Sequence, residues 1–180
     1  MKKVILFLCI MCLNLTLGAK TMDKENILYM DLDFGRVVIE LDPTIAPNHV
    51  KRIKELTREG FYDGVKFHRV IPGFMAQTGD PTGTGMGGSG KNLKAEFNGT
   101  PHVRGTVSMA RAHHPDSADS QFFICFEEAS FLDGQYTVFG KVIEGMEHVD
   151  KIKAGTSMNN GMVLNPDVIV KMQVAADVQE

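Results

Sequence analysis

The stretch Phe67-His68-Arg69-Val70-Ile71-Pro72-Gly73-Phe74-Met75-Ala76-Gln77-Thr78-Gly79-Asp80 sets one permanent cation among large apolar side chains. Val70 and Ile71 favour a strand, and Pro72-Gly73 breaks that strand and turns the chain. Phe74 and Met75 follow, then Gln77, whose amide can accept from a guanidinium and donate elsewhere. Arg69 stays charged at any ordinary pH, so it can donate hydrogen bonds but cannot act as a general base. A lone arginine in a strand commonly marks a solvated edge or an ion pair, and the rest of the chain has to decide what this one does.

Working outward toward the N-terminus, Leu28, Met30, Leu32 and Phe34 alternate with Tyr29, Asp31 and Asp33, the pattern of a half-buried strand. Gly35 marks a turn, and Val37, Ile39 and Leu41 supply a hairpin partner. Thr44 is a candidate helix cap with Pro47 in the first turn. Ala46, Val50, Ile53 and Leu56 recur at helical spacing, which predicts an amphipathic helix over 45–59, ended by Gly60.

Toward the C-terminus, residues 79–90 form a Gly-rich loop. Thr106 to Ala110 and Phe122 to Phe126 read as buried strands, with a polar loop between them. Tyr136 to Val142 is a further strand, and 144–154 reads as a second helix with Met146, Val149 and Ile152 inward. Val168 to Val174 closes the chain as a strand. The count is about eight short strands and two helices, without repeats or a dividing linker. That predicts a mainly β fold: a closed eight-stranded antiparallel barrel capped by two α-helices.

The chain has 180 residues, 43% hydrophobic and 23% charged, which suits one globular domain. Met1-Lys2-Lys3, the apolar run Val4 to Leu17 and the small residues at Gly18-Ala19 have the order of a secretory signal peptide. Residues 1–19 are therefore expected to be a signal cleaved after Gly18 or Ala19, and residues 20–180 the mature domain, exported to the periplasm. An uncleaved anchor is the alternative. Loss of Lys2 and Lys3 leaves 17 basic residues against 22 acidic ones, a formal charge of −5, with no general attraction for nucleic acid. Cys9 and Cys12 lie within the apolar run. The mature chain then keeps Cys125 alone, which offers no internal disulfide.

Several chemistries can be weighed and set aside. Gly83-Thr84-Gly85-Met86-Gly87-Gly88 fits G-x-G-x-x-G, but Lys91 to Phe97 gives no clear helix, so no nucleotide is expected. The histidines are scattered and the cysteines unclustered, so no metal is expected. No serine sits in G-x-S-x-G, and Cys125 lies in an apolar run that disfavours its thiolate. What remains is one arginine, several Phe and Met, and uncharged polar groups. That set suits binding an apolar ligand, or a reaction without proton transfer.

The stretch 67–80 resembles the signature of the cyclophilin family of peptidyl-prolyl cis-trans isomerases. So do Gly105-Thr106-Val107-Ser108-Met109-Ala110, Ser120-Gln121-Phe122-Phe123-Ile124, Phe131-Leu132-Asp133-Gly134 and Val138-Phe139-Gly140-Lys141-Val142, in family order. The resemblance implies that Arg69 is the catalytic arginine and that Gln77 helps to hold it. It implies a proline pocket formed by Phe74, Met75, Phe123 and Leu132, with Gln121 and the backbone around Ala110 and Arg111 holding the substrate chain. It implies proline-containing polypeptides as substrates and no cofactor; a monomer is expected.

Three positions depart from well-known eukaryotic members. Phe131 replaces a Trp, Tyr136 a His and Arg111 an Asn. The first two look like bacterial members and imply weak cyclosporin binding. A non-catalytic proline-peptide binding or chaperone module using the same groove is the alternative, and the two readings separate at Arg69.

Overall fold

Alternation along the strands decides which side chains reach the core. In β1 (Ile27–Leu32), Leu28, Met30 and Leu32 are buried, while Tyr29 and Asp31 are half-buried. β2 (Gly35–Leu41) pairs with it as the expected hairpin, Leu28 opposite Ile39 and Met30 opposite Val37. The computed structural model describes residues 23–179. The expected signal segment 1–19, with Cys9 and Cys12, lies outside the described residues.

Helix α1 (Pro47–Arg58) buries Val50, Ile53 and Leu56 against the sheet and turns Lys51 and Arg58 outward, while Arg52 and Lys54 are half-buried and bonded to Ser89 and Glu25. Its cap is not Thr44. Thr44 turns back to Asp42, and the N-cap is Ala46, which has no side chain able to accept. The first-turn amides of Asn48 and His49 instead donate to the Glu96 carboxylate, 3.1 and 3.0 Å away, which supplies negative charge at the helix N-terminus.

β3 (Arg69–Ile71) and β4 (Met75–Thr78) flank the turn at Pro72-Gly73, where Gly73 adopts φ 72°, a conformation costly for a side chain. β5 (Thr106–Met109), β6 (Phe122–Cys125), β7 (Val138–Glu144) and β8 (Lys171–Val174) follow. Among the described residues eight strands form one antiparallel sheet in the order β3-β4-β6-β5-β7-β2-β1-β8.

The expected closed barrel is not what forms. The sheet is a curled half-barrel, open between its edge strands β3 and β8. The gap is crossed by the segments leading into those strands: Lys66 and Val168 make a single bridge, and the Phe67 N–H donates to the Asp167 carbonyl at 2.9 Å. In that antiparallel register β3 and β8 do not oppose each other, and the outer edge of β3 is taken instead by residues 161–163, through Val70 N–H to the Gly161 carbonyl at 2.8 Å and Val163 N–H to the His68 carbonyl at 3.1 Å.

The second helix is also shorter than its apolar spacing predicts. α2 covers Met146–Val149, entered through Gly145 at φ 80°. Beyond it the Lys151 and Ile152 amides bond three residues back, to His148 and Val149. The chain thus leaves the helix in tight turns while Val149 and Ile152 still reach the core.

Sheet register then sorts the first-quoted stretch into two faces. Val70, Ala76, Ile124 and Val107 lie opposite one another across β3, β4, β6 and β5, and all belong to the main core. Directly opposed residues project from one face and their sequence neighbours from the other. Arg69, Gln77, Phe123 and Ser108 therefore form a second row on the outer face, with Ile71, Met75 and Cys125 beside it.

Candidate functional site

The outer row is the candidate site. The Arg69 Nη1 donates to Gln77 Oε1 at 3.2 Å, its Nε to the Asn160 carbonyl at 3.0 Å, and its Nη2 to Asn160 Oδ1 at 3.1 Å. Nη1 also faces the Met75 sulfur at 4.0 Å. A guanidinium carries five N–H bonds, so at least one remains for a ligand. Partial burial holds the Arg69 guanidinium below its ordinary value, yet an arginine of this kind remains charged.

Gln77 passes the connection on. Its Nε2 donates to Gln121 Oε1 at 2.9 Å, and the Gln121 Nε2 donates to the carbonyls of Gly85 and Gly87 at 3.1 and 2.8 Å. The Gly-rich loop is thereby tied to the arginine. Its other anchor is Asp80, fully buried, whose carboxylate accepts from the amides of Thr82, Thr84, Gly85 and Gly87. Burial alone would raise the Asp80 carboxyl, but the hydrogen bonds from Thr82, Gly87 and Gly85 outweigh it and hold the group far below the carboxylate range. The amides a phosphate would need are thus already occupied by a carboxylate of the chain itself.

An apolar floor lies beside the cation. Met75, Phe123, Cys125, Ala129 and Leu132 form a buried cluster, with Ile71, Phe74, Ala110 and Tyr136 packed on it. Phe131, 65% exposed, leans on Phe74 with ring centroids 5.4 Å apart. Burial pushes the Cys125 thiol up to about 12, so it serves here as a small apolar residue.

The side-chain change at Arg111 has a structural use. Its guanidinium lies 4.6 Å from the Tyr136 ring centre and donates to the carbonyls of Gln135, Ala112 and His113. It therefore fastens the 111–120 loop to Tyr136 at the groove wall, where a cation–π contact contributes about 0.5–1 kcal/mol. The Ala110 amide donates to the Gln121 carbonyl at 2.9 Å, which joins the two strand ends there. A depression of about 540 Å³, lined among others by Gln77, Gly87, Ala110, Arg111, Asp119 and Gln121, adjoins the row. Another of about 610 Å³, lined by Asp23, Glu40, Asp42 and Lys141, holds no candidate residue.

The fold thus brings every candidate from the sequence to one side of the sheet. Two supports were not anticipated. Asn160, at φ 57°, reaches Arg69 from a loop far along the chain, and its only sequence signal is the Asn160-Gly161 turn dipeptide. His102 stacks on Phe123 with centroids 6.1 Å apart and is pinned between Asp133, at 2.8 Å, and Ser108, at 3.0 Å.

The model of the family described as "Cyclophilin type peptidyl-prolyl cis-trans isomerase/CLD" matches residues 27–174. A "Probable peptidyl-prolyl cis-trans isomerase" of Brucella suis is 53% identical over 171 residues, covering 88% of this chain and 87% of that protein. "Peptidyl-prolyl cis-trans isomerase B" of Bacillus subtilis is 47% identical over 128 residues, covering 70% of this chain and 89% of the relative. Among solved structures, a cyclophilin from Hirschia baltica superposes with a TM-score of 0.79 at 30% identity, over 88% of this chain and 77% of that one. A cyclophilin-type isomerase of Cryptosporidium parvum, crystallised in the presence of the dipeptide Ala-Pro, gives 0.75 at 29% identity, over 82% of this chain and 98% of that one.

Proposed function

The chain belongs to the cyclophilin-type peptidyl-prolyl cis-trans isomerases, and we infer that its outer-face row isomerises X–Pro bonds of extended polypeptides with Arg69 as the donor. The observation that carries this reading is the Arg69 guanidinium, held on both sides by Gln77 and Asn160 at the rim of an apolar cluster, with an N–H to spare.

The reaction asks for little else. X–Pro isomerisation takes tens to hundreds of seconds across a barrier of about 18–20 kcal/mol that comes from amide resonance. No bond to a heavy atom is made or broken. In the twisted transition state the prolyl nitrogen becomes pyramidal and gains a lone pair. A cationic donor aimed at that nitrogen stabilises the transition state more than the planar ground state, which is the condition for catalysis. Phe74, Met75, Phe123 and Leu132 would grip the ring while the preceding carbonyl swings. Their exclusion of water strengthens the arginine contact. Reaching milliseconds calls for roughly 10⁴–10⁵-fold, or about 5–7 kcal/mol.

The finer reading is of a bacterial-type enzyme that assists folding of proline-containing polypeptides. It is exported with loss of residues 1–19, works in the periplasm as a monomer of residues 20–180, and binds cyclosporin weakly. The basic start, apolar run and small residues support export, and the Phe at 131 supports weak inhibition. A protease-coupled proline-isomerisation assay on the purified mature domain tests the central reading. Acceleration that disappears with Arg69 supports it, whereas proline-peptide binding without acceleration would establish the non-catalytic binding module instead.

A further inference from the structure

The outer-face row does not end at Arg69. Residues 161–163 run alongside the free edge of β3. The Val70 N–H donates to the Gly161 carbonyl at 2.8 Å, and the Val163 N–H donates to the His68 carbonyl at 3.1 Å. Between these bonds Met162 stands directly opposite Arg69 in antiparallel register. Opposed residues share a face, so Met162 lies on the side of Arg69, Gln77 and Phe123. Burial agrees: Gly161 and Val163 are buried, while Met162 is 55% exposed.

We propose that Met162 is an apolar subsite for a substrate side chain that flanks the proline, on the side of Arg69 away from Gln77. The inference rests on the isomerase reading of the row. A polypeptide whose prolyl nitrogen meets Arg69 extends past the proline in both directions. In one direction it meets Gln121 and Ala110. In the other it leaves across the β3 edge, where the next neighbour is one strand spacing away, about 4.8 Å, or one to two residues of extended chain. Met162 occupies that place. Leu164, two residues on and 76% exposed, continues the apolar surface.

The chemistry of the occupant follows from the two side chains it meets. The unbranched thioether adapts to apolar groups of different shape, which suits an enzyme that meets many sequences. The neighbouring Arg69 repels Lys and Arg. Leu, Ile, Met and Phe are therefore the favoured residues.

The test uses the mature chain and proline peptides carrying Leu or Gly at each of the two positions on either side of the proline. The parent protein should favour Leu over Gly in kcat/KM by about threefold to tenfold at a position on one side of the proline. Met162→Ala should bring that ratio close to one, and Met162→Leu should restore it. A ratio near one in the parent, or one that survives Met162→Ala, overturns the proposal. If no peptide is accelerated at all, the isomerase reading fails on its own. The same ratio is then read from dissociation constants of the same peptides, where survival of the Leu preference in Met162→Ala again overturns the subsite.

Discussion

Arg69 and Gln77 face each other across the β3–β4 hairpin, with Nη1 3.2 Å from Oε1. A slip of one residue in that register would send Gln77 into the core and leave the guanidinium unsupported on that side. The turn at Pro72-Gly73 sets the register, so the fold and the geometry of the candidate site depend on the same few residues.

Removing the donor gives the sharpest expectation. Arg69→Ala should lower kcat/KM for a proline tetrapeptide by roughly 10²–10³, equivalent to about 2.7–4 kcal/mol of transition-state stabilisation. Peptide affinity should fall much less, because the proposed pocket of Phe74, Met75, Phe123 and Leu132 would supply most of the ground-state grip. Arg69→Lys should lie between Ala and the parent and closer to Ala, because an ammonium has no planar fork to share among Gln77, Asn160 and substrate. Near-parental turnover by a folded Arg69→Ala protein, judged by thermal melting, would remove Arg69 from the mechanism.

Asn160 should matter through Arg69. Its left-handed backbone at φ 57° presents both its carbonyl and its Oδ1 to the guanidinium. Asn160→Gly keeps the backbone conformation and the carbonyl contact, so kcat should fall by about tenfold, the low end of the worth of one hydrogen bond to a charged group. Asn160→Ala loses the same contact and adds left-handed strain of about 1–2 kcal/mol, seen as a lower melting temperature than that of the Gly variant. Equal melting of the two variants would show that the strain is not there.

The pH profile should carry the mark of Asp80. Its carboxyl lies below the unfolded value of about 3.9. The stability it contributes is therefore complete above that value and is lost as pH falls below it. Melting between pH 2 and 7 should show this acid limb. Asp80→Asn should flatten it and cost about 2–3 kcal/mol at neutral pH, through buried amides left with a poorer acceptor. A variant with the parental acid limb would place the pH dependence elsewhere.

Cyclosporin should inhibit weakly. Phe131 offers a ring at the rim but no N–H donor, and Phe131→Trp restores one. The inhibition constant should improve by about tenfold in that variant, the worth of one net hydrogen bond. Nanomolar inhibition of the unsubstituted protein would contradict the role given to this position.

The proposed export is tested at the N-terminus. The exported protein should begin at Ala19 or Lys20 when its N-terminus is sequenced. Exported material that still carries residues 1–18 would show the anchor alternative instead.

The sequence by itself marked the turn at Pro72-Gly73, a count of about eight strands, the first helix and, by motif order, the candidates around Arg69, but it did not mark Met75–Thr78 as a strand. Each follows from local alternation, turn chemistry or motif order, which a linear chain displays. The tertiary structure decided what depends on distance along the chain. Glu96 rather than Thr44 serves α1, because Thr44 is drawn back to Asp42 and a carboxylate 48 residues away comes within reach. The barrel stays open because the residues that bridge its edges precede both antiparallel strands, so β3 and β8 lead away from each other, and residues 161–163 take the β3 edge. Arg111 became a fastener of its loop only once folding set Tyr136 beneath it. Asn160 and Met162 reached Arg69 only because a loop more than 90 residues away runs along the β3 edge. Sequence spacing records which residues can share a face, but hydrogen-bonded register across distant strands decides which of them meet.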